Sequence, residues 1–233
     1  MPPKYTRRPY KKYTNKKVFK SRAKKGRFIA KLTKAVKAIA LQAAETKCLH
    51  FYADNQQLYH NSLSYASTNM LSTTQGNTQQ TRVGDEVIGK YLKIKLWLSN
   101  KLDRPNVMYR VILYTTPLSY TAINWGTGTS GNLMLSTTNS DKLKIIKQKL
   151  IRPFAGDYSL ESGATNKEHS TYMAFNINLK NRKIRYQNDG TGTPLNQRDY
   201  IHLAIIAYDA YGSVITDNIA SNAYQISFYY KDP

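Results

Sequence analysis

The first forty residues combine a dense run of cations with regularly placed aromatic rings. Residues 1–40 hold fifteen Lys or Arg and no Asp or Glu, and the first acidic residue is Glu45. A cation near a phosphate releases condensed counterions whatever the base sequence, and aromatic rings stack on unpaired bases. The rings interrupt the charge every few residues, at Tyr5, Tyr10, Tyr13 and Phe19. We therefore expect single-stranded nucleic acid to be the partner of this segment.

The predicted nucleic-acid-binding residues are the cations and tyrosines of residues 1–27, called the basic arm here, and three lysines that follow it. They are Lys4, Tyr5, Arg7, Arg8, Tyr10, Lys11, Lys12, Tyr13, Lys16, Lys17, Lys20, Arg22, Lys24, Lys25, Arg27, Lys31, Lys34 and Lys37. The rest of the 233-residue chain carries 20 basic and 14 acidic side chains, so most of the net charge of +21 lies in these forty residues. The simpler alternative is a solvated tail that serves only solubility or nuclear import.

Motifs for enzymatic chemistry are weak in this sequence. GTGTSG at 126–131 matches G-x-G-x-x-G, but no hydrophobic strand precedes it, no helical pattern follows it, and no acidic residue stands about twenty positions on. We interpret it as a flexible loop. The four histidines lack H-x-x-x-H spacing and there is one cysteine, so we predict no zinc site, no other cofactor and no enzymatic activity.

Two smaller constellations have a chemical and a structural interpretation. Cys48 and His50 share one face of a predicted strand, which permits a nucleophilic pair, although a small buried cysteine is the simpler interpretation. His202 falls on the polar side of its strand, which predicts a surface or hydrogen-bonded residue. Carboxylates that would suit Ca²⁺ at a subunit contact, or serve only in loops, are Asp85, Glu86, Asp103 and Asp141.

A helix must position the lysines that follow the arm. Residues 28–45 place an apolar series on one helical face and Lys31, Lys34 and Lys37 on the other. The apolar series is Ile29, Leu32, Val36, Ile39 and Ala43. Residues 1–27 have few large aliphatic side chains, which predicts disorder in the free protein. The helix lacks Trp and no stretch approaches 18 apolar residues, so we predict no membrane insertion.

From residue 46 onward the hydrophobic period changes from that of a helix to two. KYLKIKLWL (90–98) alternates Leu92, Ile94, Leu96 and Leu98 with Tyr91, Lys93, Lys95 and Trp97. About eight strands are predicted, at 46–53, 90–98, 106–117, 143–151, 171–179, 182–187, 200–212 and 223–233. Long segments rich in Ser, Thr, Asn and Gly separate them, so the pattern predicts an all-β sandwich or barrel. The single cysteine fits a protein of a reducing compartment.

The layout and three local sequences resemble coat proteins of small circular single-stranded DNA viruses, the circovirus-like group, and of satellite-necrosis-type viruses. QQTRVGDEVIGKYLKIKLWL (79–98) is similar to their entry into an early strand, with Arg82 and Gly84–Asp85 in the same order. NVMYRVILYTTP (106–117) resembles the next strand. The ending ISFYYKDP (226–233) is similar to the aromatic-Lys-Asp ending of the circular DNA group.

The resemblance implies an eight-stranded antiparallel jelly-roll sandwich over 46–233, preceded by the arm at 1–27 and a short amphipathic helix at 28–45. It implies a virion protein that assembles into a T=1 shell of about 60 copies and packages its genome in the host nucleus. The receptor and the import factor are not identified. Segments 54–81 and 117–141 are then surfaces for subunit contacts. The arm is richer in Lys than is usual for circovirus-type arms, but its tyrosines and the YYKDP ending favour DNA over RNA.

Two alternatives stay open. The first is a cellular single-stranded nucleic-acid-binding protein or ribosomal β-barrel protein with a basic extension. The second is a hydrolase with a basic tail, which the sequence supports less. A second basic cluster has two interpretations as well, because it would line an inner wall or protect a strand edge against mispairing. Its members are Lys142, Lys144, Lys147, Lys149 and Arg152.

Overall fold

The computed structural model divides the chain into two compact units, Met1–Ala44 and Glu45–Pro233. The structure describes residues 16–67, 69–101, 103–116, 131–139, 141, 143–152, 170–187, 192–210 and 213–232. Within these ranges, no helix has the combination of length and apolar character that a membrane span requires.

The described part of the first unit, residues 16–44, contains one helix, α1, which spans Lys16–Ala43. It begins twelve residues before the predicted start at residue 28 and is about 42 Å long. Residues 16–27, predicted to be disordered, are therefore helical, whereas residues 1–15 lie outside the described residues. Lys, Arg and Ala have high helix propensity, so the helix extends through a stretch that has little apolar surface.

The second unit is built from antiparallel strands in two sheets. Their bounds are β1 Thr46–Tyr59, β2 Ser62–Ser67, β3 Glu86–Asn100, β4 Val107–Thr115, β5 Lys144–Ile151, β6 Ser170–Arg185, β7 Ile201–Asp209 and β8 Asn218–Lys231. The first sheet has the order β1-β8-β3-β6 and the second has the order β2-β7-β4-β5. Two four-stranded antiparallel sheets connected in this order form a jelly roll, which confirms the predicted fold class.

The main core lies between the two sheets and comes from alternate residues of each strand. In β3, Leu92, Ile94, Leu96 and Leu98 are at most 1% exposed, as their alternation predicts. They pack with residues of the other strands, among them Val111, Leu203, Ile226 and Phe228. The intervening β3 side chains consequently point out of the sandwich.

The predicted strand list is wrong at two places, although its count agrees with the structure. SLSYAS forms β2 inside the predicted loop 54–81, and β1 continues through residues 54–59 of that loop. Segment 171–179 and residues 182–185 of the next segment belong to one strand, β6, which bulges where Lys180 and Asn181 take positive φ. Serine-rich β2 lacks the β-branched residues that mark strands, and the bulge interrupts the alternation of β6.

The outer face of the second sheet is covered by a segment of the same chain. Arg110 in β4 is buried, and its Nη1 donates to the carbonyls of Leu133 and Ser136, both at 2.8 Å. The Asn61 side chain accepts from the backbone N–H of Leu133 at 2.8 Å. These contacts hold Leu133 and Met134 over a small second core, formed by Ile112, Tyr114, Leu143, Ala204 and Ile206.

Candidate nucleic-acid interface

The described cations of α1 lie mostly on one side of the helix. Lys25, Arg27, Lys31 and Lys34 are all exposed. At 100° per residue, Arg27, Lys31 and Lys34 fall within about 60° of one another, opposite the apolar series. This arrangement gives a cationic face that can follow a phosphate backbone.

The other predicted binding residues lie outside what the structure describes. Residues 1–15 are not described, and they include Lys4, Tyr5, Arg7, Arg8, Tyr10, Lys11, Lys12 and Tyr13. The backbone of α1 includes Lys16, Lys17, Lys20, Arg22, Lys24 and Lys37, but their side chains are not described. Their role in binding therefore stays a prediction.

The opposite face of α1 exposes large apolar side chains. Phe28, Ile29, Leu32, Val36 and Ile39 are between 55% and 68% exposed. Soluble proteins rarely leave such a continuous apolar stripe in water, because burying one large aliphatic side chain stabilises by roughly 1.5–3 kcal/mol. The stripe is therefore a candidate contact surface in an assembly.

The C-terminal Lys-Asp-Pro sequence contributes its aspartate, Asp232, to a buried ion pair in the β-domain. Lys47 Nζ lies 3.0 Å from Asp232 Oδ2, with 9% and 5% of the two side chains exposed. Lys47 also donates to the carbonyl of Thr81 at 2.9 Å, and the Val83 N–H donates to Asp232 at 2.6 Å. The end of the chain is thereby fastened to β1 and to the segment before β3.

Arg82 fastens the same segment from the other side. Its side chain is fully buried, its Nε donates to the carbonyl of Thr73 at 3.2 Å, and its guanidinium lies 4.7 Å from the ring centroid of Tyr186. Nη1 also contacts Asp85 Oδ1 at 3.3 Å. Two of the sequences that carried the resemblance, around Arg82 and at the C-terminus, therefore meet at one structural clamp, which we call the Arg82–Asp232 clamp.

Three of the four carboxylates considered for Ca²⁺ have cationic partners. Asp85 pairs with Arg82, and Glu86 pairs with Lys183 and Arg185, which lower the pKa of Glu86. Asp103 is 3.9 Å from Arg104. Among the described residues, no three potential ligands of the His, Cys, Asp or Glu type lie together.

Cys48 and His50 are neighbours, but the thiol is poorly suited to attack. Cys48 Sγ lies 3.9 Å from His50 Nδ1, which in turn lies 2.9 Å from Ser227 Oγ. Partial burial raises the pKa of the Cys48 thiol, so the reactive thiolate is disfavoured. Cys48 is half-buried, not fully buried as predicted. His202 is buried and accepts from the Asn69 N–H at 3.3 Å, as the hydrogen-bonded alternative predicted.

The second basic cluster lies on a sheet edge. Strand β5 is the terminal strand of the second sheet, and Lys144, Lys147, Lys149 and Arg152 are exposed on it or directly after it. The side chain of Lys142 is not described. An edge strand lined with lysines resists pairing with another chain, so the protective interpretation accounts for the cluster.

Comparison with known proteins adds little to these observations. No family model and no curated protein matches the chain. Similar solved structures include a chain of the T13 IBDV viral particle, at 10% identity and a TM-score of 0.35, covering 80% of this chain and 31% of that one. The present chain thus spans about a third of that protein.

They also include VP1 of Trichodysplasia spinulosa-associated polyomavirus in complex with GM1 oligosaccharide, at 11% identity and a TM-score of 0.14, covering 80% and 72% of the two chains. These neighbours come from viruses, and similarity at this level carries no argument. The jelly-roll assignment rests on the strand order of the chain itself.

Proposed function

We propose that this chain is a viral capsid protein that assembles into a closed shell and packages a single-stranded genome with its basic arm. One observation carries the proposal: a single chain joins an eight-stranded jelly roll to forty residues with fifteen cations and no acidic side chain. A jelly roll blunts its sheet edges, which suits a wall built from many copies. A purely cationic segment suits phosphate neutralisation.

The exposed apolar stripe of α1 supports self-assembly. Its five large side chains need a partner, and other copies of the same helix offer a surface of the same length and character. We propose that residues 1–27 bind nucleic acid, that 28–45 contribute to subunit contacts, and that 46–233 form the wall. This division matches the change in hydrophobic period at residue 46.

The finer proposal is a T=1 shell from a small virus with a circular single-stranded DNA genome. About 60 copies with fifteen cations each bring about 900 positive charges inside, the scale of the phosphates of a small genome. Assembly in the host nucleus and an import role for the arm belong to the same proposal. The tyrosines of the arm favour unpaired bases as ligands.

Deletion of residues 2–27 tests the packaging role directly. We expect the truncated protein to keep its β-structure and to lose most of its bound nucleic acid, measured by the ultraviolet absorbance ratio of purified particles. The intact protein should bind any single strand with an affinity that falls steeply with salt. Full packaging by the truncated protein, or an affinity that does not change with salt, would contradict the proposal and leave the arm as a localisation signal.

The alternative is a cellular single-strand-binding or ribosomal protein with a basic extension. It shares the cationic arm but needs no assembly contact. Particle size distinguishes the two, because a capsid protein sediments as one large closed species and a binding protein as a monomer or small oligomer.

A further inference from the structure

The outward face of the first sheet is an aromatic surface to which the sequence analysis assigned no role. Its rings come from all four strands: Tyr52 on β1, Tyr229 on β8, Tyr91 and Trp97 on β3, and Tyr172 on β6. Tyr52 is 78% exposed, Tyr172 54% and Trp97 49%. We call this surface, with the polar side chains between the rings, the aromatic face.

Strand register brings the rings together in pairs. Tyr91 is paired with Tyr229, and the two rings stack with their centroids 4.3 Å apart. Trp97 is paired with Tyr172, with ring centroids 6.3 Å apart. Side chains two residues apart on one strand are separated by about 6.7 Å along it, so ring pairs and cations follow one another at regular steps.

The polar part of the aromatic face is cationic and rich in amides. Lys93 Nζ lies 5.2 Å from the ring centroid of Tyr91 and 5.3 Å from that of Tyr229, and Lys95 follows on the same face. In the three cross-strand rows that contain Tyr91, Lys93 and Lys95, no side chain is acidic. The described acidic residue nearest to these rows in β1 is Asp54, at the irregularity after Ala53.

A groove at one end of the aromatic face has the same chemistry. Its volume is about 570 Å³, and its lining consists of Tyr91, three lysines and three asparagines. Lys93, Asn176 and Asn178 connect it to the ring pairs. Amide side chains hydrogen-bond base edges and lysines contact phosphates, so the groove offers partners for both parts of a nucleotide.

The outer faces of the two sheets differ in whether another segment of the chain covers them. The second sheet is covered by the segment that Arg110 holds, whereas Tyr52, Trp97 and Tyr172 of the first sheet are exposed and the Tyr91–Tyr229 pair is half-buried. Exposed aromatic surface of this extent marks a binding site. Four-stranded sheets that carry aromatic residues stack two or three unpaired bases in RNA-recognition modules.

We propose that the aromatic face is a second binding surface for single-stranded nucleic acid, in which bases stack on the exposed rings and lysines contact the phosphates. The proposal deepens the packaging function and rests on it for the identity of the ligand. Two surfaces then contribute to the affinity for single-stranded nucleic acid. The cations of the arm contribute salt-sensitive contacts, and the aromatic face contributes stacking, which depends little on salt.

High salt separates the two contributions in the full-length protein. At about 1 M salt the Debye length is about 3 Å, so the electrostatic contribution of the arm's cations is suppressed. Tryptophan fluorescence is then followed as oligothymidylate is added, with inorganic polyphosphate as a polyanion without bases. We expect quenching by oligothymidylate only, and we expect Trp97→Phe to lose most of it, which assigns the signal to Trp97 and not to the second tryptophan, Trp125.

A matched pair of substitutions tests stacking itself. Trp97→Ala removes a ring and Trp97→Phe keeps one at the same exposed position, so the two variants differ in the ring that a base can stack on. With labelled oligothymidylate at high salt, fluorescence anisotropy should show at least about fivefold weaker binding for Trp97→Ala than for Trp97→Phe. Tyr172→Ala should weaken binding similarly, and Lys149→Ala on the β5 edge should not.

Any of four results in the binding assays would overturn the proposal. They are equal quenching by polyphosphate, equal affinities of Trp97→Ala and Trp97→Phe, quenching by a neutral oligosaccharide in place of oligothymidylate, and a change of oligomeric state in Trp97→Ala without a change in binding. If the Trp97→Ala and Tyr172→Ala variants form shells that package normally, the role of the aromatic face in binding is contradicted and the capsid function is not. Stacking by a protein that never assembles would instead contradict the capsid function and leave the aromatic face in place.

Discussion

The buried pair of Lys47 and Asp232 is the residue-scale contact on which the end of the chain depends. Asp232→Ala leaves the Lys47 ammonium buried without its counter-ion, and breaking a buried pair in this way costs about 3–5 kcal/mol. We expect a loss of that size in the free energy of unfolding measured with urea. Asp103→Ala is the matched control, because that side chain is 67% exposed and its pair is worth less than about 1 kcal/mol. Equal losses in both variants would contradict the structural role of the clamp.

His202 gives the β-domain a defined response to acid. Burial lowers its pKa from 6.5 to about 4. Between these values the unfolded chain binds a proton that the folded chain does not, so stability falls as the pH drops from about 6.5 to 4. The loss from this residue is about 3 kcal/mol across the range.

The non-titrating variant His202→Phe should therefore lose less stability than the wild type between pH 6.5 and 4. Urea unfolding at several pH values measures the difference, and His50→Phe at an exposed position is the control. Identical pH profiles of His202→Phe and the wild type would show that this histidine protonates equally in both states.

At the scale of elements, substitution of Gly26 tests where the helix begins. A helix from Lys16 contains Gly26 in its interior, where proline costs about 3 kcal/mol or more, whereas a helix from residue 28 would tolerate proline there. We expect Gly26→Pro to lower helix content in far-ultraviolet circular dichroism. Gly26→Ala should raise it, since a methyl group at this position meets no atom within 4 Å. Unchanged helicity in Gly26→Pro would instead support the predicted helix start at residue 28.

The two faces of α1 should respond differently to substitution. Val36→Asp places a charge in the exposed apolar stripe and should impair assembly, measured by sedimentation. Lys34→Ala on the opposite face should leave assembly intact and lower nucleic-acid retention. Small and equal effects of both changes would show that the helix serves only to extend the arm.

The elements that the sequence predicted well are those whose hydrophobic pattern lies within one continuous segment. Strict alternation in β3 predicted both its core residues and its outward lysines, because one face is fully buried. Strand β2 was missed because its serines carry no strand signal and only pairing with β7 makes it a strand. The Arg82–Asp232 clamp joins segments about 150 residues apart and so left no pattern to read.

The aromatic face shows the same limit for the site. Tyr91, Lys93, Lys95 and Trp97 were correctly placed on one face of a strand, opposite the aliphatic residues that the structure buries. Their meaning depends on Tyr172 and Tyr229, which register brings alongside them from distant segments. The cationic arm, in contrast, was visible at once, because its chemistry depends on composition and not on geometry.

At the scale of the whole molecule, charge and core are kept in different parts of the chain. The first forty residues carry fifteen cations without an acidic residue, and the β-domain holds the buried core. A shell protein needs this separation, because its wall must pack against copies of itself while its arm neutralises a polyanion.

Sedimentation velocity of the full-length protein, recorded at two ultraviolet wavelengths, tests the central claim most directly because it reports particle size and nucleic-acid content together. The account predicts one large, uniform species that contains nucleic acid, and a large species without nucleic acid once residues 2–27 are deleted. A monomer or small oligomer, with or without bound nucleic acid, would contradict the assignment as a capsid protein.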